Sequence, residues 1–172
     1  MRNIEIKARV NDNEQAEAVA VSVAGQAHAR VRQVDTYFNI PEGRLKLREE
    51  RGTGSESELI FYRRADQAGP GPSEYQIARV DSPDELKRIL AEVLGVKAVV
   101  RKERAVYLLE NTRIHLDIVE GLGTFIEFEA LIPEGAGVET GRKTVEALIK
   151  AFSIKKEDLV ESSYCDLISS NG

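Results

Sequence analysis

Cysteine is nearly missing from this 172-residue chain, Cys165 being the only one. One thiol excludes an intrachain disulfide and any metal site built from several thiolates. Tryptophan is absent and aromatic residues make up only 6%. That is a poor stock for stacking bases along a single nucleic-acid strand. With His28 and His115 as the sole histidines, a histidine-rich metal site is excluded too. No Gly-x-x-x-x-Gly-Lys or Gly-x-Gly-x-x-Gly occurs, so P-loop and dinucleotide-binding readings fail. No Ser-His-Asp arrangement suggests itself. Basic residues are not in excess: 24 stand against 29 acidic ones, for a net charge of −5. That balance argues against nucleic acid as a partner, while leaving room for a local basic patch. Residues 1–20 lack the apolar core of a signal peptide. No run approaches the ~18 apolar residues of a spanning helix. The expectation is a cytoplasmic protein with no membrane partner.

What is present suits a globular protein. Hydrophobic residues are 42% and charged residues 31%, which is neither disordered nor fibrous. The length suits one domain over 1–172 with a substantial core. The most informative stretch is Arg113–Glu129, RIHLDIVEGLGTFIEFE. Ile114, Leu116 and Ile118 alternate with Arg113, His115 and Asp117. Glu120-Gly-Leu-Gly makes a turn, after which Ile126, Phe128 and Ala130 alternate with Glu127 and Glu129. Period-2 alternation around a Gly-containing turn predicts a hairpin of half-buried strands. One face of it then carries Asp117, Glu127 and Glu129. Carboxylates two residues apart on a strand stand about 7 Å apart and repel unless a cation, a proton or solvent relieves them.

Similar patterns predict the other elements. Asn3–Val10 reads as a strand with Ile4, Ile6, Ala8 and Val10 on one face and Asn3, Glu5, Lys7 and Arg9 on the other. Asp12 or Asn13 caps a helix over Glu14–Ala24. Val31–Ile40, Arg44–Arg51, Glu58–Arg64, Glu74–Val80 and Lys97–Glu110 read as further strands. Ala65–Ser73, rich in Gly and Pro, reads as a loop. Ser82-Pro83-Asp84-Glu85 has the form of a capping box opening a helix to Leu94, with Leu86, Ile89, Leu90 and Val93 as its apolar side. A last helix covers Val138–Phe152, and Asp158–Ser169 is an amphipathic tail. Eight strands joined mostly by short turns predict an α+β fold with a largely antiparallel sheet. Eight are enough to close into a barrel whose width its side chains fill.

The plain reading of each polar strand face is that it meets water. Three features point elsewhere. Arg44, Lys46 and Arg48 put three like charges in succession on one strand face. Lys102 and Arg104 repeat the pattern, and Glu5, Asp117, Glu127 and Glu129 lie on the same kind of face. If the sheet closes with its apolar side outward under the helices, both charge sets point inward. Such an interior can hold a polyanion bridged to a divalent cation, because carboxylates bind hard cations and Arg or Lys neutralises phosphate oxygens.

These residues also resemble the CYTH superfamily of class IV adenylate cyclases, thiamine triphosphatases and related triphosphate tunnel enzymes. The family's opening Glu-x-Glu-x-Lys reads Asn3-Ile4-Glu5-Ile6-Lys7 here, so asparagine replaces the first glutamate. RLKLRE (Arg44–Glu49), ELIFYRRAD (Glu58–Asp66), VRKERAVY (Val100–Tyr107) and HLDIVEGLGTFIEFE (His115–Glu129) follow in order. The wording is closest to the class IV adenylate cyclase-like branch.

The resemblance implies a closed eight-stranded antiparallel barrel with helices packed outside and a triphosphate tunnel within. It implies a Mg²⁺ or Mn²⁺ cofactor held by Glu5, Glu127 and Glu129, with Asp117 in or near that shell. It would place Glu5, Lys7 and Asp117 nearest the chemistry. Lys7, Arg44, Lys46, Arg48, Arg64, Lys102, Arg104 and Arg113 would bind the triphosphate. Arg64 and Arg113, near strand ends, equally fit ordinary surface charges. His115 reads as a hydrogen-bonded barrel residue rather than a base, and Tyr164 and Asp166 as residues that pack against the tunnel or close it. Three functions follow: a cyclase making cyclic AMP and pyrophosphate from ATP, a triphosphatase, or a module that binds polyphosphate or nucleotides without chemistry. A homodimer is compatible with all three.

Overall fold

In the computed structural model the alternating stretches form eight strands: β1 (Arg2–Arg9), β2 (Ala29–Phe38), β3 (Arg44–Arg51), β4 (Ser57–Arg64), β5 (Gly71–Arg79), β6 (Val96–Leu109), β7 (Thr112–Val119) and β8 (Gly123–Leu131). The structure describes residues 2–51, 56–64, 69–133, 135 and 137–170, except for the side chains of Arg2 and Arg64. All pairings are antiparallel, and the sheet closes in the order β1-β5-β4-β3-β2-β6-β7-β8. The expected closed barrel is therefore the fold. Its closing seam joins β1 to both β5 and β8. Between β2 and β3, Gly43 has φ +74, and a Cβ there would stand 2.9 Å from the Phe61 ring and the Tyr62 carbonyl oxygen. Only glycine fits that turn without strain.

The core lies outside the barrel wall. Ile4, Ile6 and Ala8 of β1 join Ile114, Leu116, Ile126 and Phe128 of the β7–β8 hairpin under two helices, α1 (Asn13–Ala24) and α3 (Val138–Ala151). Asp12 caps α1, its carboxylate accepting from the Gln15 amide at 2.9 Å. Helix α3 comes close through Gly141, where a Cβ would lie 3.3 Å from Ile4 Cγ1. On β1, β7 and β8 the apolar side chains point outward under helices, so the polar faces of these strands point inward. Alternation flips every side chain together.

Three expectations are corrected. β5 starts at Gly71, so the predicted loop over Ala65–Ser73 gives up its last three residues to the sheet; residues 65–68 lie outside the described residues. Pro72 stands in β5 opposite Ile4 of β1, beside the end of the short β1–β5 ladder, where a missing amide is tolerated. Helix α2 (Pro83–Leu94) forms, but Ser82 makes no side-chain cap bond. Its apolar side is only partly covered: Leu86 and Leu90 are half-buried, but Ile89 is 57% and Val93 72% exposed, α2 resting mainly against β2 and β3. The tail folds as α4 (Tyr164–Ser170), which plugs one end of the barrel. Tyr164 and Cys165 pack there on Tyr37, Ala98, Val100, Val119 and Phe125.

Candidate active site

A tunnel of about 1140 Å³, its open mouth included, runs through the barrel. Its enclosed part is about 250 Å³, just under the ~300–1,000 Å³ typical of small-molecule sites. Asn3, Glu5, Lys7, Arg44, Lys46, Arg48, Lys102, Arg104, Arg113, Glu127 and Glu129 all line it. Strand pairing arranges these charges in rows. His115, Glu127 and Lys7 stand side by side across β7, β8 and β1; Arg113, Glu129 and Glu5 form the next row. Asn3 stands between Leu131 and Ser73.

Two buried aspartates organise the cations. Asp35 on β2 is 0% exposed. Arg48 donates to it from Nε at 2.8 Å and Nη2 at 2.9 Å, Lys46 Nζ at 2.9 Å and Lys102 Nζ at 3.2 Å. Burial pushes this carboxyl up, but Arg48, Lys102 and Lys46 hold it well below the usual carboxylate range. One anion for three cations leaves this side of the tunnel positive. Burial and then Arg48 push Lys46 down to about 7, against the pull of Asp35.

Asp117 takes the same part for Arg104. Arg104 donates through Nε at 2.6 Å and Nη2 at 2.5 Å, and Tyr164 Oη donates at 2.9 Å. Both oxygens of Asp117 are therefore engaged with protein partners. Arg104 Nη2 also reaches Glu127 Oε2 at 2.6 Å, while Lys7 Nζ stands 3.5 Å from Glu127 Oε1. Burial pushes Glu127 up, yet Arg104 and then Lys7 hold it well below the ordinary range. Arg113, half-exposed, stands with Nη1 3.9 Å from Glu129 Oε2. Arg64 ends β4, and its side chain lies outside the described residues.

The tail does more than pack. Lys7 Nζ lies 3.9 Å above the Tyr164 ring and donates to the Ser162 carbonyl at 3.3 Å. Asp166 accepts from Arg44 at 2.8 Å and Lys97 at 3.0 Å. Helix α4 is thus held over this end of the tunnel by two of the cations first assigned to phosphate. The hydrogen-bonded role expected for His115 is not seen at its Nδ1, which is buried without a partner.

Asp35 was missed by sequence reasoning. Alternation in Val31-Arg-Gln-Val-Asp35 already puts it on one face with Gln33 and Tyr37. What makes it central is its neighbours, Arg48 directly opposite on β3 and Lys102 on β6, which meet because β2 pairs with both strands.

The sequence pattern that defines the CYTH domain matches residues 1–164. The chain belongs to the CYTH family. The protein described as putative adenylate cyclase MJ0240 of Methanocaldococcus jannaschii is 25% identical over 178 residues, covering 97% of this chain and 98% of that one. Among solved structures, the PH1012 protein of Pyrococcus horikoshii superposes with a TM-score of 0.84 at 25% identity, over 96% of this CYTH chain and 98% of the other. A protein of Vibrio parahaemolyticus described as a putative adenylate cyclase shares the fold, with a TM-score of 0.78 at 19% identity over 97% of each chain.

The residues of this CYTH barrel fit the divalent cation that the family implies. Glu5 and Glu129 are direct cross-strand neighbours, and Glu127 shares their face. Asn3 Oδ1 is buried without a partner beside them. A carbonyl oxygen left without a donor is a poor resting state for a protein and a good ligand for a hard cation.

Proposed function

We propose that this chain is a metal-dependent enzyme acting on a nucleoside triphosphate, and that its reaction is cyclisation of ATP to cyclic AMP and pyrophosphate. The observation that carries this reading is the make-up of one tunnel. The cationic cluster of Lys46, Arg48 and Lys102 shares the tunnel with an apolar wall of Ile60, Tyr62, Tyr75 and Ile77, cross-strand partners on β4 and β5. A bare polyphosphate needs no such wall, whereas a purine ring does. The related M. jannaschii protein described as a putative adenylate cyclase supports the same choice.

In this reading Glu5, Glu127 and Glu129 hold Mg²⁺ or Mn²⁺. When bound, the cation lowers the pKa of the attacking hydroxyl and offsets charge on the phosphates. The substrate's 3′-oxygen forms a bond to the α-phosphorus, the bond to pyrophosphate breaks, and the hydroxyl proton leaves toward the tunnel carboxylates. Lys46, Arg48 and Lys102 take up the charge that grows on the departing pyrophosphate. They are held in place by Asp35 before substrate arrives, so little reorganisation is required. Asp117 acts by orienting Arg104. Arg113, half-exposed, steers the polyanion, while Arg44 reaches the tunnel from its bond to Asp166 of α4. All of this belongs to one domain over 1–172 and to a cytoplasmic enzyme.

The deciding experiment incubates the protein with ATP, tripolyphosphate or thiamine triphosphate and Mg²⁺ or Mn²⁺, then separates the products by chromatography. Cyclic AMP with pyrophosphate is the expected result. Orthophosphate instead would assign a triphosphatase, and binding without any turnover would leave a capture module.

The lowered Lys46 adds a pH signature. Above pH 7 the free protein sheds the Lys46 proton, while bound phosphate favours its retention, so binding takes up a proton. Tripolyphosphate affinity is therefore expected to fall by up to about tenfold per pH unit above 7. Lys46→Arg, charged throughout, should flatten that slope, and the ligand's own ionisation is common to both proteins. Calorimetric titration from about pH 6 to about pH 9 reads the difference. Equal slopes would show that Lys46 is not the group involved.

A further inference from the structure

His115 is the buried group for which the reading above has no use. It is 5% exposed on the tunnel face of β7, and its Nδ1 has no hydrogen-bond partner. Leaving a ring nitrogen buried and unpaired is costly, and such groups are rare in folded proteins. Nδ1 points at the two glutamates of β8, 3.8 Å from Glu127 Oε2 and 3.7 Å from Glu129 Oε1. Those gaps are too long for hydrogen bonds, which close at about 2.7–3.2 Å. They have the width of two bonds to a shared ion, since ligands about 2.1 Å from one cation stand roughly 3–4 Å apart. All three ligand atoms lie within 4.8 Å of one another. The placement follows from register: His115 is directly opposite Glu127 across β7 and β8, and Glu129 is two residues further along.

We propose that His115, Glu127 and Glu129 form a mixed nitrogen–oxygen metal centre that takes a first-row transition ion such as Mn²⁺ or Co²⁺ in preference to Mg²⁺. This deepens the reading of the tunnel as a metal-dependent site and rests on it. The chemistry is that of ligand type. Magnesium prefers oxygen ligands throughout, whereas an imidazole nitrogen favours the later divalent ions. The polar groups already on the carboxylates leave room for the ion. Arg104 uses one lone pair of Glu127 Oε2 at 2.6 Å, Lys7 lies 3.5 Å from Oε1, and Arg113 lies 3.9 Å from Glu129 Oε2. Glu129 Oε1 is the oxygen nearest the imidazole. His115 is a ligand in this proposal, not a proton carrier.

The test measures metal binding with no substrate present. Calorimetric titration of the metal-stripped protein with MnCl₂, CoCl₂ and MgCl₂ should show Mn²⁺ and Co²⁺ bound about tenfold or more tighter than Mg²⁺. His115→Ala should weaken Mn²⁺ and Co²⁺ by about tenfold or more and change Mg²⁺ by less than about threefold. His115→Gln, which offers an oxygen in place of nitrogen, keeps the site polar and guards against a folding defect; it should narrow the preference in the same way. Pulsed electron paramagnetic resonance of the Mn²⁺ complex should show coupling to a ring nitrogen in the wild type and none in either variant. Equal weakening of all three metals, or a nitrogen signal that survives in His115→Gln, would overturn the proposal. Its failure is separable from failure of the functional reading. Ion selectivity through His115 can hold in a protein that turns nothing over, and cyclic AMP can form with a site indifferent to His115.

Discussion

Asp35→Asn is expected to lower the unfolding midpoint by roughly 10 °C, corresponding to a loss of about 3–5 kcal/mol. Arg48, Lys46 and Lys102 all donate to this one carboxylate; the two lysines are buried and the Arg48 side chain is 15% exposed. Asparagine keeps the shape and one acceptor oxygen but removes the charge. The lysines can shed protons to relieve the strain, but arginine cannot. Cations in this largely buried cluster without their anion are the costly situation, because little water and no counter-charge then compensates them.

The same variant should bind tripolyphosphate more tightly than the wild type, since phosphate oxygens would supply the missing negative charge. Ligand at about a hundred times its Kd returns about 2.7 kcal/mol to whichever protein it binds. At one fixed tripolyphosphate concentration the variant should therefore recover more of its midpoint than the wild type gains. Thermal unfolding with and without tripolyphosphate reads both effects. An unchanged midpoint in Asp35→Asn would mean that the cradle does not depend on this charge.

Glu127→Gln and Glu129→Gln should each reduce metal-dependent turnover by at least about a hundredfold. Each substitution keeps the side chain's shape and removes one anionic ligand. Their effects on the metal-free protein should differ, and this separates the two glutamates. In sequence terms both repel their neighbours, so neutralising either relieves the fold. The structure reverses that for Glu127, which Arg104 and Lys7 hold well below its ordinary pKa. A carboxyl so depressed contributes stability above its unfolded-state value and loses it as pH falls through the folded one. Glu127→Gln should therefore unfold at a slightly lower temperature at pH 7, with the difference from wild type vanishing in acid. Arg104 stays in place through its paired bonds to Asp117, so the fold survives. Glu129, which pairs only loosely with Arg113 at 3.9 Å, should leave the midpoint nearly unchanged. Full turnover in both variants would remove these residues from the metal site.

Much of the barrel is legible before any coordinates. Ile4, Ile6 and Ala8 alternate with Asn3, Glu5 and Lys7, and Ile126 and Phe128 with Glu127 and Glu129. Alternation is local, and a strand cannot place neighbouring side chains on one face. The membership of the two charge sets follows from that rule, as do the strands carrying them. Helix α2 shows where the local signal misleads. A good N-terminal pattern and an amphipathic stripe are both present, yet Ser82 makes no cap bond and Ile89 and Val93 face outward. Propensity says that a helix forms; what covers it depends on where the chain returns.

The sequence by itself determined the strand faces, the family motifs and the charges available to a tunnel, because each depends on spacing along the chain. Only the tertiary structure decided how those charges pair. Asp35 meets Lys102 across 67 residues of sequence, and Tyr164 meets Asp117 across 47. Lys7 meets Glu127 because β1 closes the barrel against β8. The orphaned Nδ1 of His115 is also a tertiary fact. Whether a buried nitrogen has a partner is set by every side chain around it, and a single strand's pattern holds no record of those neighbours.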